Sequence, residues 1–294
     1  MNRFKSLGIA LLGLICLPTS LVSSVQAEPR IATVDWTIAE TLLALGITPA
    51  GMGDMGSYGA WVTEPVMPPS VVDLGLRAQP NRELLAELEP DLILISPLAA
   101  PLAPTLSQIA PVKSITLYSP EGDYWAQLAG ATRDIAALVD KSAEADSLLT
   151  GLDEELAELK AGLPKHLPPL LLVQFIDERH VRVFGQHSMY DSVMGKLGLR
   201  NAWQAPTNYW GFTSVSIESF ATMDEARLVI VDPLPSGVAA KLAAPGLWQH
   251  LPLVQRAKPL HLPPVWSFGG VLSARRFAQQ LSLALTTDAG VPHE

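Results

Sequence analysis

Cysteine is nearly absent. The 294-residue chain has one, Cys16, and it falls in an N-terminal stretch that reads as an export signal. Arg3 and Lys5 give that stretch a positive start, residues 9–17 form an apolar core, and Val25-Gln26-Ala27 has the small-x-small form of a cleavage site. The apolar run is interrupted at Pro18 and is too short to span a bilayer comfortably. Ile15 precedes Cys16 where lipid attachment would need a small residue. Cleavage after residue 27 would leave a chain without thiols. That excludes disulfides, a cysteine nucleophile, thiolate metal sites and iron–sulfur clusters. An exported domain without disulfides must be held by its core, and roughly 265 residues suffice for one or two lobes.

Positive charge is also scarce. The chain has 20 basic and 29 acidic residues; without Arg3 and Lys5 the count is 18 against 29, a net charge of −11. Such a balance disfavours nucleic acid and anionic lipid as partners. Past the signal no apolar run is long enough for a transmembrane helix. There is no G-x-S-x-G elbow, no Walker sequence and no H-E-x-x-H. The six histidines, His166, His180, His187, His250, His261 and His293, show no close metal-ligand spacing. No nucleophile–base constellation points to an enzyme.

What is present is an alternation of short strands and helices. Strand patterns cover 30–34, 71–74, 92–95 and 113–117, with helices over 38–45, 81–88 and 124–139. Leucines at 148, 149, 152, 156, 159 and 163 then fall three or four apart among acidic residues, which predicts one amphipathic helix over 142–163. At about 1.5 Å per residue it would be roughly 30 Å long, enough to run between two lobes. A second α/β run follows, with strands over 170–176, 181–184 and 228–231 and helices over 188–197 and 271–285. The expected organisation is a signal peptide (1–27), an N-terminal α/β lobe (28–140), a linking helix (141–164) and a C-terminal α/β lobe (165–294), with parallel or mixed sheets covered by helices. Residues 89–97 faintly echo residues 225–233; lobes of like construction, or any two helix–strand junctions, account for this.

Gly51-Met52-Gly53-Asp54-Met55-Gly56 is a literal G-x-G-x-x-G with Asp73 downstream. A dinucleotide site needs a helix opening at its end, and the Gly- and Pro-rich residues that follow read as a loop. Seven tryptophans are more informative. Trp36, Trp61, Trp210 and Trp266 each sit near Gly or Pro in a predicted loop or at an element end, where aromatics between two lobes would make a broad apolar pocket. Arg77 lies between a strand end and a helix start, where sheet-based sites form, and its planar fork of donors suits the partly charged oxygens of a chelated metal.

Trp61-Val62-Thr63-Glu64-Pro65, Asp73-Leu74-Gly75-Leu76-Arg77, Val183-Phe184-Gly185, Asn201-Ala202-Trp203-Gln204, Asn208-Tyr209-Trp210-Gly211, Ser214-Val215-Ser216-Ile217 and Pro264-Val265-Trp266 occur in an order and spacing that resembles the periplasmic ferric-hydroxamate (ferrichrome-type) binding proteins. The resemblance implies a helical-backbone periplasmic binding protein of the metal-chelate receptor type: two α/β lobes joined by one long helix, a shallow aromatic cleft and little closure on binding. It implies a monomer whose cargo is iron(III) wrapped in a hydroxamate siderophore, delivered from the periplasm to an inner-membrane ABC permease. Arg77 would contact the hydroxamate oxygens, Trp61, Trp210 and Trp266 would wall the cleft, and Asn208 would add a polar contact; Trp36 and Trp203 also match family tryptophans. No cofactor and no protein metal ligand is needed, because the chelator already saturates the iron.

Two departures from the family pattern stand out. A family tyrosine after the strand over 92–95 is matched near Ala99, and a later one is matched by Phe268. The cleft should therefore be more apolar, with Tyr58, Tyr209 or Asn208 as a substitute donor, or take a different cargo. Haem, a corrinoid or another metal chelate is the alternative. Docking on the permease would use acidic residues on each lobe, with Asp224 and Glu225 as candidates on the second.

Overall fold

The computed structural model describes residues 29–119 and 123–289. The expected signal segment, with Cys16, lies outside the described residues. Two five-stranded sheets carry the fold. The first is wholly parallel and contains β1 (Ile31–Thr33), β2 (Gly51–Met52), β3 (Val72–Asp73), β4 (Leu92–Ile95) and β5 (Val112–Ser114), in the order β3-β2-β1-β4-β5. The second is mixed and contains β6 (Leu170–Phe175), β7 (His180–Phe184), β8 (Phe212–Ser216), β9 (Arg227–Val231) and β10 (Leu260–Leu262), in the order β10-β9-β6-β7-β8. The helices are α1 (Trp36–Ala44), α2 (Met55–Trp61), α3 (Arg82–Glu87), α4 (Ala103–Leu106), α5 (Tyr124–Leu138), α6 (Ser142–Gly162), α7 (Met189–Leu197), α8 (Val238–Ala243), α9 (Pro252–Arg256) and α10 (Val271–Ala289).

The two sheets follow one scheme. In each, the first strand of the lobe pairs in parallel with the fourth, and the fourth with the fifth: β1–β4–β5 and β6–β9–β10. The echoing segments 89–97 and 225–233 contain β4 and β9, which occupy the same place in the two orders. Likeness of construction therefore accounts for the echo. The lobes differ in their second and third strands, since β7 and β8 run antiparallel to their neighbours. The runs of apolar residues in β4, β6 and β9 belong to strands covered on both faces.

Helix α6 buries Ala145, Leu149, Leu152 and Leu156 on one face, against α5, α7 and α10. Each fully buried leucine contributes about 1.5–3 kcal/mol. A second bridge is α10, whose N-terminus abuts α1 of the first lobe. Fully buried Glu40 of α1 accepts from the Gly270 N–H and, at 2.6 Å, from Ser273 Oγ. Tyr124 Oη donates to the Gly269 carbonyl at 2.6 Å and Arg276 Nη1 to that of Val62 at 2.6 Å. These bonds tie the lobes together.

The reading of residues 57–61 as a loop is corrected: α2 starts within the glycine motif, at Met55. Asp54 turns the chain at φ 55° and caps the helix, its side chain accepting from the Ser57 N–H at 3.3 Å. The carboxylate thus occupies the helix N-terminus that a pyrophosphate would need. Strands β2, β8 and β10 were not predicted. β8 is half-exposed, without an apolar run, β2 has two residues and β10 three, so none carries a periodic signal.

Candidate functional site

A cavity of about 610 Å³ opens between the lobes. From the first lobe it is lined at the carboxyl ends of β1, β4 and β5 and by Arg77 after β3; from the second, by β7, the turn before β8 and the loop after β10. This is where side chains converge in parallel sheets, because the strand ends all point one way.

Arg77 is fixed from three directions. Its Nε donates to the Val34 carbonyl at 3.1 Å, its Nη2 lies 3.6 Å from Asp35 Oδ2, and its guanidinium carbon lies 4.6 Å from the centre of the Trp36 ring. Asp35 is itself immobilised as the N-cap of α1, accepting from the Thr37 and Ile38 N–H groups at 2.9 and 3.3 Å. The remaining donors of the fork reach the cavity. Gly53 makes room for this arrangement: a Cβ there would come within 3.2 Å of Arg77 Cγ. The middle glycine of the motif thus serves the arginine, and its carbonyl accepts from Trp36 Nε1 at 2.9 Å.

The walls are aromatic. Trp266 lies 4.8 Å from Trp36 and 5.1 Å from Phe268 between ring centres, Phe268 lies 5.7 Å from Trp210, and Trp210 lies 5.5 Å from Tyr118 and 4.8 Å from Tyr209. Four of these pairs are edge-to-face and the fifth, Trp210 with Tyr118, is tilted, geometries favoured by ring quadrupoles. Trp266 is oriented by its indole N–H, which donates to Thr37 Oγ1 at 3.2 Å, and that hydroxyl donates to the Phe268 carbonyl at 2.8 Å. Burial pushes the Tyr118 phenol well above its usual range, with Tyr124 adding to the shift, so the ring stays neutral.

The structure gathers Arg77, Trp210, Trp266 and Phe268 around the cavity. Five other expected contacts lie elsewhere. Trp36 is buried behind Arg77 and Trp266 as their platform. Asn208 accepts from the Trp210 and Phe212 N–H groups at 2.9 and 3.3 Å, so it shapes the turn that presents Trp210. Trp61 packs from α2 against the cluster of Trp36, Met52 and Tyr58. Tyr58 is 2% exposed and donates to the Pro65 carbonyl at 2.7 Å. Trp203 packs beside Gly185 in the cluster of Leu171, Val173 and Val181, apart from the cavity lining.

Of the three substitute donors, the two hydroxyls are engaged: Tyr58 on the Pro65 carbonyl and Tyr209, though at the cavity, on the Tyr118 carbonyl at 2.6 Å, while Asn208 is bonded through its acceptor oxygen. Near the missing tyrosine, Leu98 faces the cavity while Ala99 packs into the first lobe. Sequence reasoning missed Tyr118, Arg182 and Phe212. Arg182 had a signal, as a guanidinium set among Val181, Val183 and Phe184.

Among the described residues, no group of three or more His, Cys, Asp or Glu is placed to hold a metal ion, and no helix is long and apolar enough to cross a membrane. The chain is 35% identical over 257 residues to the iron(3+)-hydroxamate-binding protein FhuD of Escherichia coli strain K12, covering 87% of this chain and 86% of that one. It is 28% identical to the achromobactin-binding periplasmic protein of Dickeya dadantii strain 3937, over 99% and 97% of the two chains. Its fold superposes on the crystal structure of the siderophore-binding protein FhuD from Vibrio cholerae with Fe3+–Desferal bound, with a TM-score of 0.84, 30% identity, and 88% and 98% of the chains covered. The periplasmic binding protein family model matches residues 31–265, and with these likenesses in sequence and fold the chain belongs to that family.

Proposed function

We propose that this protein captures iron(III)-hydroxamate siderophores in the cleft and hands them to an inner-membrane ABC permease. The observation that carries the reading is Arg77, locked over Trp36 with its free donors turned into an aromatic cavity. Hydroxamate oxygens bound to iron keep partial negative charge and accept charge-assisted hydrogen bonds, while the carbon scaffold of the chelator suits aromatic faces. The iron arrives fully coordinated, so the protein supplies no ligand to it. The likeness to proteins named for hydroxamate and siderophore binding supports the same cargo class. The protein acts as a receptor rather than an enzyme, as a monomer in the periplasm after its signal segment is removed.

Titration of the purified chain with ferrichrome and with Fe3+–Desferal, followed by tryptophan fluorescence, tests this. Saturable quenching is expected, because Trp210 and Trp266 line the cavity. Unchanged fluorescence together with silent calorimetry for both chelates would rule the assignment out.

A further inference from the structure

Arg182 stands in β7, directly opposite Gln174 of β6 and Ser214 of β8. Its guanidinium carbon lies 5.3 Å from the centre of the Phe212 ring, and both residues line the cavity. The residue is half-buried, and its guanidinium makes no hydrogen bond or ion pair with any described residue. Arg77 differs, because Asp35 faces it at 3.6 Å. The charged side chains lining the cavity are therefore two guanidinium groups and one carboxylate, and that carboxylate is committed to Arg77 and to the cap of α1. One positive charge is left over, on the wall opposite Arg77.

A ligand that covers Arg182 removes water from a cation held on an aromatic face. A neutral ligand supplies no counter-charge for that loss, whereas a carboxylate restores it through a bidentate, charge-assisted pair. Iron(III) held by three hydroxamates is neutral overall. A chelate in which the α-hydroxycarboxylate of citrate replaces one hydroxamate is net negative once its hydroxyl is deprotonated, and where its hydroxamate arms bear carboxylates these lie beyond the iron-bound oxygens. We infer that the cleft selects a net-anionic iron(III) chelate with such a carboxylate, and that Arg182 binds it while Arg77 meets the iron-bound oxygens. The inference rests on the hydroxamate reading and narrows it.

The test titrates the purified chain with neutral ferrichrome and with an iron(III) citrate-bis(hydroxamate) whose arms bear free carboxylates, at low and high salt. Wild type should bind the anionic chelate at least about tenfold more tightly, in line with a hydrogen bond to a charged group, and salt should narrow the gap. Arg182→Gln should lower the anionic-to-neutral affinity ratio by about tenfold, and Arg182→Lys should restore part of it. An unchanged ratio in Arg182→Gln, in protein whose circular dichroism melt matches wild type, overturns the role of Arg182 and leaves the hydroxamate reading standing. Absence of binding of both chelates to wild type overturns that reading and this inference with it.

Discussion

Arg77 and Trp36 form one unit: the guanidinium carbon sits 4.6 Å from the indole centre, and the indole N–H is bonded to the Gly53 carbonyl in the turn beside Arg77. A flat cation on a fixed ring presents its donors in one direction, and the loss of side-chain entropy on binding is already met in the free protein.

Replacement of Arg77 should therefore affect binding far more than folding. Arg77→Gln is expected to weaken a ferric hydroxamate by about 1.5–3 kcal/mol. Arg77→Lys should recover little of this, since an ammonium offers neither the planar fork nor the Nε donor that engages Val34. Fluorescence titration of both variants decides the matter, and wild-type affinity in the lysine variant would contradict it.

The turn that carries Trp210 depends on Gly211. Its φ is 75°, and a Cβ there would stand 2.2 Å from the backbone nitrogen of Ser188. Neither the backbone conformation nor the neighbour can give way, because Ser188 caps α7. Gly211→Ala should cost about 3 kcal/mol or more, among the larger effects of single substitutions. A urea midpoint within error of wild type would show that the turn relaxes instead.

Tryptophans separate into those at the cavity and those in the core. Trp210→Phe should lose affinity and a share of the ligand-induced quenching, because Trp210 lines the cavity between Tyr118 and Phe268. Trp203→Phe, on the cluster around Leu171 and Val181, should leave the absolute ligand-induced drop in fluorescence unchanged. The reverse pattern in paired titrations would place the ligand elsewhere.

This split also marks where sequence reading reached its limit. Leucine spacing gave α6 and continuous apolar runs gave β4 and β9, because burial of a periodic face is written locally. Arg77 and Trp266 were legible from their places at element ends. Trp36 and Trp61 share that signal yet pack behind the wall, since which side of a ring meets solvent depends on residues distant in sequence. Phe268 and Thr37, joined across 231 positions, form one such contact. Arg182 shows locally only as a cation among apolar strand residues; cross-strand register is what turns it toward the cleft.

Glu40 gives the lobe junction a pH dependence. Burial raises its carboxyl from 4.5 to about 7; the bonds from Ser273 and Gly270 oppose that rise, and Asp35 adds to it. Tyr58 and Tyr124, each pushed far above its usual range by burial first and Glu40 second, stay protonated beside it. Between pH 4.5 and 7 the folded chain thus holds a proton on Glu40 that the unfolded chain releases, so stability falls as pH rises through this window. The contribution is full below pH 4.5 and lost above about 7, and it is on the order of 3 kcal/mol. Glu40→Gln keeps an acceptor for the Gly270 N–H but has no proton to lose. Its stability relative to wild type should rise between pH 4.5 and 7.5, as read from urea midpoints at several pH values. Because other titrating groups are common to both chains, the difference isolates Glu40, and parallel profiles would mean that its carboxyl titrates alike in the folded and unfolded states.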